Sequence, residues 1–270
     1  MHRGSISLAL ALVLVGCSSP EQSTTTPSAE VVGSTTATLT AETSRTTTPP
    51  PIATTEPSGN GRAEQRTAMV DNQIVSRLIE DPAVVEAMRV VPRHEFVPDE
   101  YLDLAYNDHP LPIGYGQTIS QPYIVALMTK ALDLEAGDRI LEIGTGSGYQ
   151  AAVLAAMGMD VYSVEIIEEL AVVADERLKR LGYDVTVLVA DGYFGWEEHA
   201  PFDVIIVTAA PDHLPQPLAD QLVAGGRMVI PIGPIGAVQT LWRFTRGADG
   251  ELTAENLGAV SFVPFTRDQG

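Results

Sequence analysis

The sequence is short of cysteine, of basic residues and of long apolar runs. Cys17 is the only cysteine, so no disulfide can form within the chain. Lysine and arginine number 16 against 35 aspartates and glutamates, and the formal net charge is -19. Two arginines and four glutamates in residues 1–61 leave -17 for residues 62–270. A domain this acidic is repelled by nucleic acid, so we expect no nucleic-acid partner.

Patterns for metal ligands and for activated nucleophiles are also missing. The five histidines, at positions 2, 94, 109, 199 and 213, show no spacing typical of a metal site. No side-chain nucleophile is accompanied by an obvious base partner. We therefore expect no metal centre in this protein.

The N-terminus contains an apolar run that is too short to cross a bilayer. Residues 1–3 include a basic start, Ile6 to Val15 are apolar, and Leu14-Val15-Gly16-Cys17 follows. This order is typical of a secretory signal, and its end is similar to the lipobox of bacterial lipoproteins. We therefore predict a signal peptide over residues 1–17 and lipidation of Cys17. The alternative is a small buried cysteine that happens to end an apolar stretch.

Residues 18–61 contain almost no large apolar side chains. Threonine, serine, proline, alanine and glycine dominate them, including Thr46-Thr47-Thr48-Pro49-Pro50-Pro51. Such a segment cannot bury enough surface to offset the entropy of ordering, so we predict a disordered tether. The folded domain is predicted over residues 62–270.

The folded part alternates helical periodicity with short Val/Ile-rich runs. Helical spacing begins near Met69, and Asp81-Pro82 is typical of an N-cap followed by proline in the first turn. Proline punctuation then predicts loops, and a helix follows Pro122. Further on, we predict strands over 140–143, 161–164, 185–189, 204–207, 228–231, 240–244 and 260–265, and helices over 149–157, 168–181 and 214–222. The pattern predicts a doubly wound α/β fold, with a mostly parallel sheet, helices on both faces and antiparallel C-terminal strands.

Glycines and carboxylates follow successive predicted strands. The first strand ends in Gly144-Thr145-Gly146-Ser147-Gly148, preceded by Glu142. Glu165 ends the second strand, and Asp191-Gly192 follows the third. Because ligands bind at the carboxyl ends of strands in such sheets, Glu165 is placed to accept ribose hydroxyls and Asp191 to accept from an adenine amino group.

Glu142 distinguishes between the cofactors that such a turn accepts. A carboxylate there disfavours a pyrophosphate and favours the cationic ammonium and sulfonium of S-adenosylmethionine, which we predict as the cofactor in preference to NAD. The predicted cofactor residues are Glu142, Gly144, Thr145, Gly146, Gly148, Glu165, Asp191 and Gly192. For each acid, the alternative is a solvated surface carboxylate.

A longer stretch, 105–122 (Ala-Tyr-Asn-Asp-His-Pro-Leu-Pro-Ile-Gly-Tyr-Gly-Gln-Thr-Ile-Ser-Gln-Pro), is far less generic. It resembles the segment ahead of the cofactor domain in protein-L-isoaspartate O-methyltransferases. The resemblance continues through 141–149, Asp191-Gly192-Tyr193, Thr208-Ala209-Ala210-Pro211 and Gly225-Gly226-Arg227, and covers roughly residues 65–265. It implies a class I methyltransferase fold that is Rossmann-like, and methylation of the α-carboxyl of L-isoaspartyl residues in damaged proteins.

The resemblance also implies an active-site role for Ser120. The acceptor carboxylate is already ionised at neutral pH, so a hydrogen-bond donor is needed rather than a strong base. The alternative role for Ser120 is the N-cap of the helix that begins near Pro122. Two positions depart from the family pattern: Ala190 replaces a frequent glycine, and Ser261 replaces a frequent arginine whose loss would alter substrate affinity if it holds the substrate.

A secretory signal and a cytoplasmic cofactor conflict with each other. We expect a monomer that repairs isoaspartyl proteins or peptides and is attached to the cell membrane through Cys17, on the extracytoplasmic side. Three alternatives stay open at this point. They are a tethered binder of isoaspartyl or carboxylate peptides without turnover, a methyltransferase of small-molecule carboxylates, and a cytoplasmic enzyme whose true start lies near Met69.

Overall fold

A computed structural model describes residues 59–268, with side chains described from residue 61 onward. The predicted signal peptide, Cys17 and most of the predicted tether lie outside the described residues. Helix α1 (Gly59–Met69) begins ahead of the predicted boundary at residue 62. Tertiary contacts override the weak helix propensity there, since Arg62 Nη1 donates to the carbonyl of Leu102 at 2.7 Å. In residues 59–268, no helix is both long enough and apolar enough to cross a membrane.

The helical N-terminal part confirms the predicted capping. After α1, the chain continues through a π-helical turn (Val70–Ile74) and a 3-10 turn (Val75–Arg77) before α2 (Pro82–Val90). The Asp81 carboxylate caps α2, because its Oδ1 accepts from the backbone N–H groups of Ala83 and Val84, both at 3.0 Å.

A β-hairpin lies where the sequence predicted only loops. Strand β1 (Leu111–Gly114) pairs antiparallel with β2 (Gln117–Ile119), and helix α3 (Pro122–Ala131) follows. The sequence did not predict this hairpin because Pro112 argued against a strand. Proline is unfavourable in a central strand but is tolerated in a short isolated one. The turn between β1 and β2 uses positive φ at Gly114, Tyr115 and Gly116.

The main sheet has seven strands in the order β5-β4-β3-β6-β7-β8-β9. The elements after α3 are β3 (Arg139–Ile143), α4 (Tyr149–Ala156), β4 (Asp160–Glu165), α5 (Glu168–Leu181), β5 (Val185–Val189), β6 (Phe202–Val207), α6 (Gln216–Asp220), β7 (Leu222–Ile232), β8 (Gln239–Arg246) and β9 (Leu252–Val260). Strands β3 to β7 are parallel, and the last pairs, β7 with β8 and β8 with β9, are antiparallel. The predicted fold class is confirmed.

Two predicted elements were placed wrongly. The last strand is β9 and not residues 260–265. The sequence did not predict β9 because most of its side chains are exposed and it lacks an apolar alternation. Residues 261–265 instead pass the segment that follows β6, a central strand, where Pro264 forms an isolated parallel bridge with Ala210. Helix α6 is shorter than the predicted 214–222, since Leu222 already begins β7.

The order of the strands determines where a ligand can bind. Strand β3 lies between β4 and β6, so the connections from β3 and from β6 leave towards opposite edges of the sheet. The crevice at the carboxyl ends of β3 and β6 is the topological switch point of a doubly wound sheet. Apolar side chains fill both faces beneath it, with Ile140 and Val204 in one layer and Leu141 and Ile205 in the other.

Candidate active site

The turn after β3 is shaped by glycines that no other residue can replace without strain. Gly144, Gly146 and Gly148 have φ of 97°, 53° and 85°, in the left-handed region. A Cβ on Gly144 would collide with Thr208 Oγ1. Thr208 Oγ1 in turn donates to the Gly144 carbonyl at 2.7 Å, so β6 holds the turn from below. Gly144 and Gly146 also line a cleft, so the backbone of the turn borders space in which a ligand can bind.

Glu165, at the end of β4, is hydrogen-bonded to this turn. Its Oε2 accepts from the backbone N–H of Gly146 at 2.8 Å, and its Oε1 accepts from that of Ile167 at 3.0 Å. Only 5% of the residue is exposed, yet it lines the cleft together with Gly144 and Gly146. Glu165 therefore occupies the position that the sequence predicted for a ribose-binding carboxylate.

Glu142 lies beneath the turn and is fully buried. Ser163 Oγ donates to Glu142 Oε2 and lies 2.6 Å from Thr145 Oγ1, whereas Oε1 has no hydrogen-bond partner among the described residues. Burial, with a further contribution from the charge of Glu165, raises the pKa of Glu142 to about 8, against the lowering effect of the Ser163 hydrogen bond. Glu142 is not among the side chains that line the cleft, so its direct contact with the cofactor stays a prediction.

Asp191 has partners that the sequence did not predict. Its carboxylate is 10% exposed and is paired with Arg267 Nε, 2.8 Å from Oδ2. Oδ1 accepts from the backbone N–H of Tyr193 at 3.0 Å. The next residue, Gly192, lines the cleft, and a Cβ there would collide with the Ile143 side chain, so this position requires glycine for packing. Contact of Asp191 with adenine stays a prediction.

Thr208 joins the cofactor side of the site to a second cleft. This acceptor cleft has a volume of about 650 Å³, and its walls include the polar residues Thr118, Ser120, Gln121, Thr208 and Ser261 and the apolar residues Ile124, Val238, Phe262 and Val263. Thr118 and Thr208 also line the cleft beside the glycine turn. The sequence indicated Thr208 only through the family resemblance. Its position directly after β6, which neighbours β3, could also have predicted a place in the site.

Ser120 is not a helix cap. The N-cap of α3 is Gln121, and no side chain caps this helix. Ser120 lies between the two ligand regions, because it lines the acceptor cleft and also a small cavity with Gly144, Gly146 and Thr208. Its hydroxyl makes no hydrogen bond to another described residue. It is therefore a donor that an acceptor carboxylate can use.

The residues at the carboxyl ends of β3, β4 and β6 fit S-adenosylmethionine. Gly144, Gly146 and Glu165 line the same cleft, and the two glycines leave its wall free of side chains at the turn. The unpartnered Glu142 oxygen lies in the protein interior beneath the turn. Glu165 would hold the nucleoside and the glycine turn would hold the amino-acid end, whereas Glu142 does not line the cleft. Among residues 59–268, no cluster of three potential metal ligands occurs.

Comparison with known proteins gives a consistent result. The family model described as Protein-L-isoaspartate(D-aspartate) O-methyltransferase (PCMT) matches residues 64–270. The chain is 53% identical over 215 residues to Protein-L-isoaspartate O-methyltransferase 2 of Pelobacter propionicus, covering 79% of this chain and 96% of the relative. It is 54% identical over 202 residues to Protein-L-isoaspartate O-methyltransferase of Gloeobacter violaceus, covering 74% and 98%.

A solved structure extends this similarity to the fold. The crystal structure of a related methyltransferase from Plasmodium falciparum, in complex with S-adenosyl-L-homocysteine, matches with a TM-score of 0.67 and 28% identity. The match covers 75% of this chain and 99% of that one. From residue 64 onward, the chain belongs to the protein-L-isoaspartate (D-aspartate) O-methyltransferase family.

Proposed function

We propose that the chain methylates the α-carboxyl of L-isoaspartyl residues in damaged proteins or peptides, with S-adenosylmethionine as the methyl donor. Family membership and the named relatives support this reaction. The observation that carries it is the position of Ser120. Its unpartnered hydroxyl lies between the glycine turn and the acceptor cleft, where an acceptor carboxylate must meet the donor.

The residues present suit methylation of a group that is already nucleophilic. Carboxyl groups of this type have reference pKa values near 3.3 to 3.7, so no general base is required at neutral pH. When bound, S-adenosylmethionine supplies an electrophilic methyl group on a sulfonium. Ser120 donates to one carboxylate oxygen and leaves the other to attack, while Ile124 and Phe262 give the cleft an apolar wall.

The product explains why such methylation repairs proteins. A methyl ester has a better leaving group than a carboxylate. The neighbouring backbone nitrogen attacks the ester carbonyl, loses its proton and releases methanol, which closes a succinimide. Hydrolysis of the succinimide returns part of the material to normal aspartate.

A methyl-transfer assay on purified full-length protein tests the proposal. Radiolabelled methyl from S-adenosylmethionine should appear on an isoaspartyl peptide and not on the same peptide with normal aspartate. Transfer to a free small carboxylic acid at a comparable rate would favour the small-molecule alternative. Tight binding of the isoaspartyl peptide without transfer, while S-adenosylhomocysteine also binds, would favour the non-catalytic binder.

We further propose that the enzyme is attached to the extracytoplasmic side of the cell membrane through a lipidated Cys17. The proposal is supported by the signal-like residues 1–17 and by the family match, which begins only at residue 64. A start at Met69 would remove α1 and with it the hydrogen bonds from Arg62 to Leu102 and from Arg66 to Tyr106. Mass spectrometry of the native N-terminus tests this proposal. A diacylglyceryl Cys17 supports the anchor, and a native N-terminus near Met69 would contradict it.

We expect the enzyme to act as a monomer on isoaspartyl-containing proteins. Size-exclusion chromatography with light scattering on the detergent-solubilised protein checks this expectation, and a stable dimer would contradict it.

A further inference from the structure

The Asp191 carboxylate accepts hydrogen bonds on both oxygens from donors of the protein itself. Oδ1 accepts from the backbone N–H of Tyr193 at 3.0 Å and from Arg267 Nε at 3.1 Å. Oδ2 accepts from Arg267 Nε at 2.8 Å and from the backbone N–H of Asp268 at 3.3 Å. The four contacts come from three N–H donors, because the single Arg267 Nε–H is shared between the two carboxylate oxygens. A ligand amino group must therefore compete with the protein's own donors, and above all with Arg267, for the Asp191 oxygens.

Arg267 belongs to a segment that forms one wall of the cofactor cleft. We call residues 263–268 the C-terminal strap. Two backbone hydrogen bonds attach the strap to Ala210, from Ala210 N–H to the Val263 carbonyl at 2.9 Å and from Phe265 N–H to the Ala210 carbonyl at 3.0 Å. Strap residues 263–266 line the cleft together with Glu165 and Gly192.

The Arg267 side chain is held by an aromatic surface as well as by charge. Its guanidinium carbon lies 3.7 Å from the centroid of the Tyr193 ring and 5.2 Å from that of Phe194, both within the range of a cation–π contact. The arginine side chain is 37% exposed, so its ion pair with Asp191 is accessible to salt. Around Asp191, the end of the strap is thus held by a partly solvated ion pair, by the backbone N–H of Asp268 and by the rings of Tyr193 and Phe194.

We propose that Arg267 is a positioning residue that latches the C-terminal strap onto Asp191, and that the adenine amino group of the cofactor displaces Arg267 when it binds. This proposal rests on the proposed function, which requires an adenosyl cofactor. Arg267 acts on the cofactor only through Asp191 and the strap. Because opening the latch opposes binding, the ion pair lowers the affinity for the cofactor and makes that affinity dependent on salt.

Binding of S-adenosylhomocysteine to the full-length protein tests the latch by calorimetry. Arg267→Gln should bind it about twofold to fivefold more tightly than the wild type, the range expected from the loss of a partly exposed ion pair. Arg243→Gln is the matched control, since it removes a partly exposed ion pair with Glu255 on strands β8 and β9, and its affinity should not change. Arg267→Lys, which keeps the charge, should restore most of the wild-type affinity.

The salt dependence gives a second readout that a merely structural role would not produce. Between about 0.05 M and 0.5 M NaCl, screening weakens the latch, so the wild type should bind S-adenosylhomocysteine more tightly as salt rises. Arg267→Gln should show no such gain. If Arg267→Gln binds more weakly than the wild type or with the same affinity, the strap is only a wall of the site and the proposal is wrong. Failure of methyl transfer with normal cofactor binding would instead count against the proposed function alone.

Discussion

The cofactor side and the acceptor side of the site are built in different ways. The cofactor side is a short contiguous turn, held by Thr208 from β6 and by Glu165 from β4. The acceptor cleft is assembled from distant segments, including Ser120, Thr208 and Ser261, and its described lining contains no basic side chain. The difference shows that one side depends on a local backbone conformation held by two hydrogen bonds, whereas the other offers neutral hydroxyls and an apolar wall from separate segments. Variants on the two sides should therefore change different constants.

The largest effect is expected from Gly144→Ala on the cofactor side. The new methyl group would collide with Thr208 and disturb its hydrogen bonds, in addition to the left-handed strain at φ 97°. Because the turn must shift to relieve this collision, we expect it to fit the cofactor poorly, with at least about a hundredfold loss of S-adenosylhomocysteine affinity by calorimetry, or about 2.7 kcal/mol. Gly158→Ala is the control, because φ there is 82° but no atom lies near the new Cβ. If Gly158→Ala lost as much S-adenosylhomocysteine affinity as Gly144→Ala, the loss would come from backbone strain and not from the collision with Thr208.

The next effect concerns stability on the cofactor side. Glu142 has a pKa of about 8 in the folded protein against an ordinary value of 4.5, so the folded state holds its proton more tightly than the unfolded state. Its contribution to stability is complete below pH 4.5 and is lost as pH rises through about 8. As pH rises across that window, the free energy of unfolding of Glu142→Gln should therefore increase relative to that of the wild type by up to about 1.4 kcal/mol per pH unit.

Denaturant unfolding of both proteins over a pH series measures this difference. Glu169→Gln, at an exposed position in the first turn of α5, is the control and should follow the wild type. A constant difference between Glu142→Gln and the wild type at every pH would show that Glu142 does not titrate in this window.

On the acceptor side, Ser120→Ala should reduce turnover and leave cofactor binding unchanged. A hydrogen bond to a charged group contributes about 1.5–3 kcal/mol, so its loss should lower kcat about tenfold to a hundredfold, and the neutral cleft offers few substitutes. Steady-state methyl transfer to an isoaspartyl peptide, together with S-adenosylhomocysteine calorimetry, separates the two constants. Ser76→Ala, on the exposed N-terminal helical part, is the control. A change in cofactor affinity without a change in kcat would assign Ser120 to the cofactor side.

The smallest effect is expected from adding a charge to the acceptor cleft. Ser261→Arg places a cation in a cleft whose described walls are neutral, so it should attract the acceptor carboxylate. We expect KM for the isoaspartyl peptide to fall about threefold, with little change in kcat and a smaller gain at high salt. Ser261→Gln, which lengthens the side chain without charge, is the matched control. An equal effect of glutamine would exclude an electrostatic origin.

Much of the fold followed from local patterns. The Val/Ile-rich runs that became β3, β4 and β6 are largely buried on both faces, so their apolar character is continuous and easily recognised. The sequence did not predict β9 or the hairpin β1–β2, because neither shows an alternation of apolar and polar residues. Most of β9 is exposed, and β1 contains a proline. The glycine turn and Glu165 were predictable because backbone conformation and strand ends constrain them locally.

The sequence by itself determined the fold class, the glycine turn and the family, because each depends on short segments whose residue types are constrained by the backbone. Only the tertiary structure decided that Glu142 is buried below the turn, that Ser120 faces a cleft rather than capping α3, and that Arg267 occupies Asp191. These outcomes depend on residues as much as 76 positions apart along the chain, and only the folding of the sheet brings them within hydrogen-bonding distance.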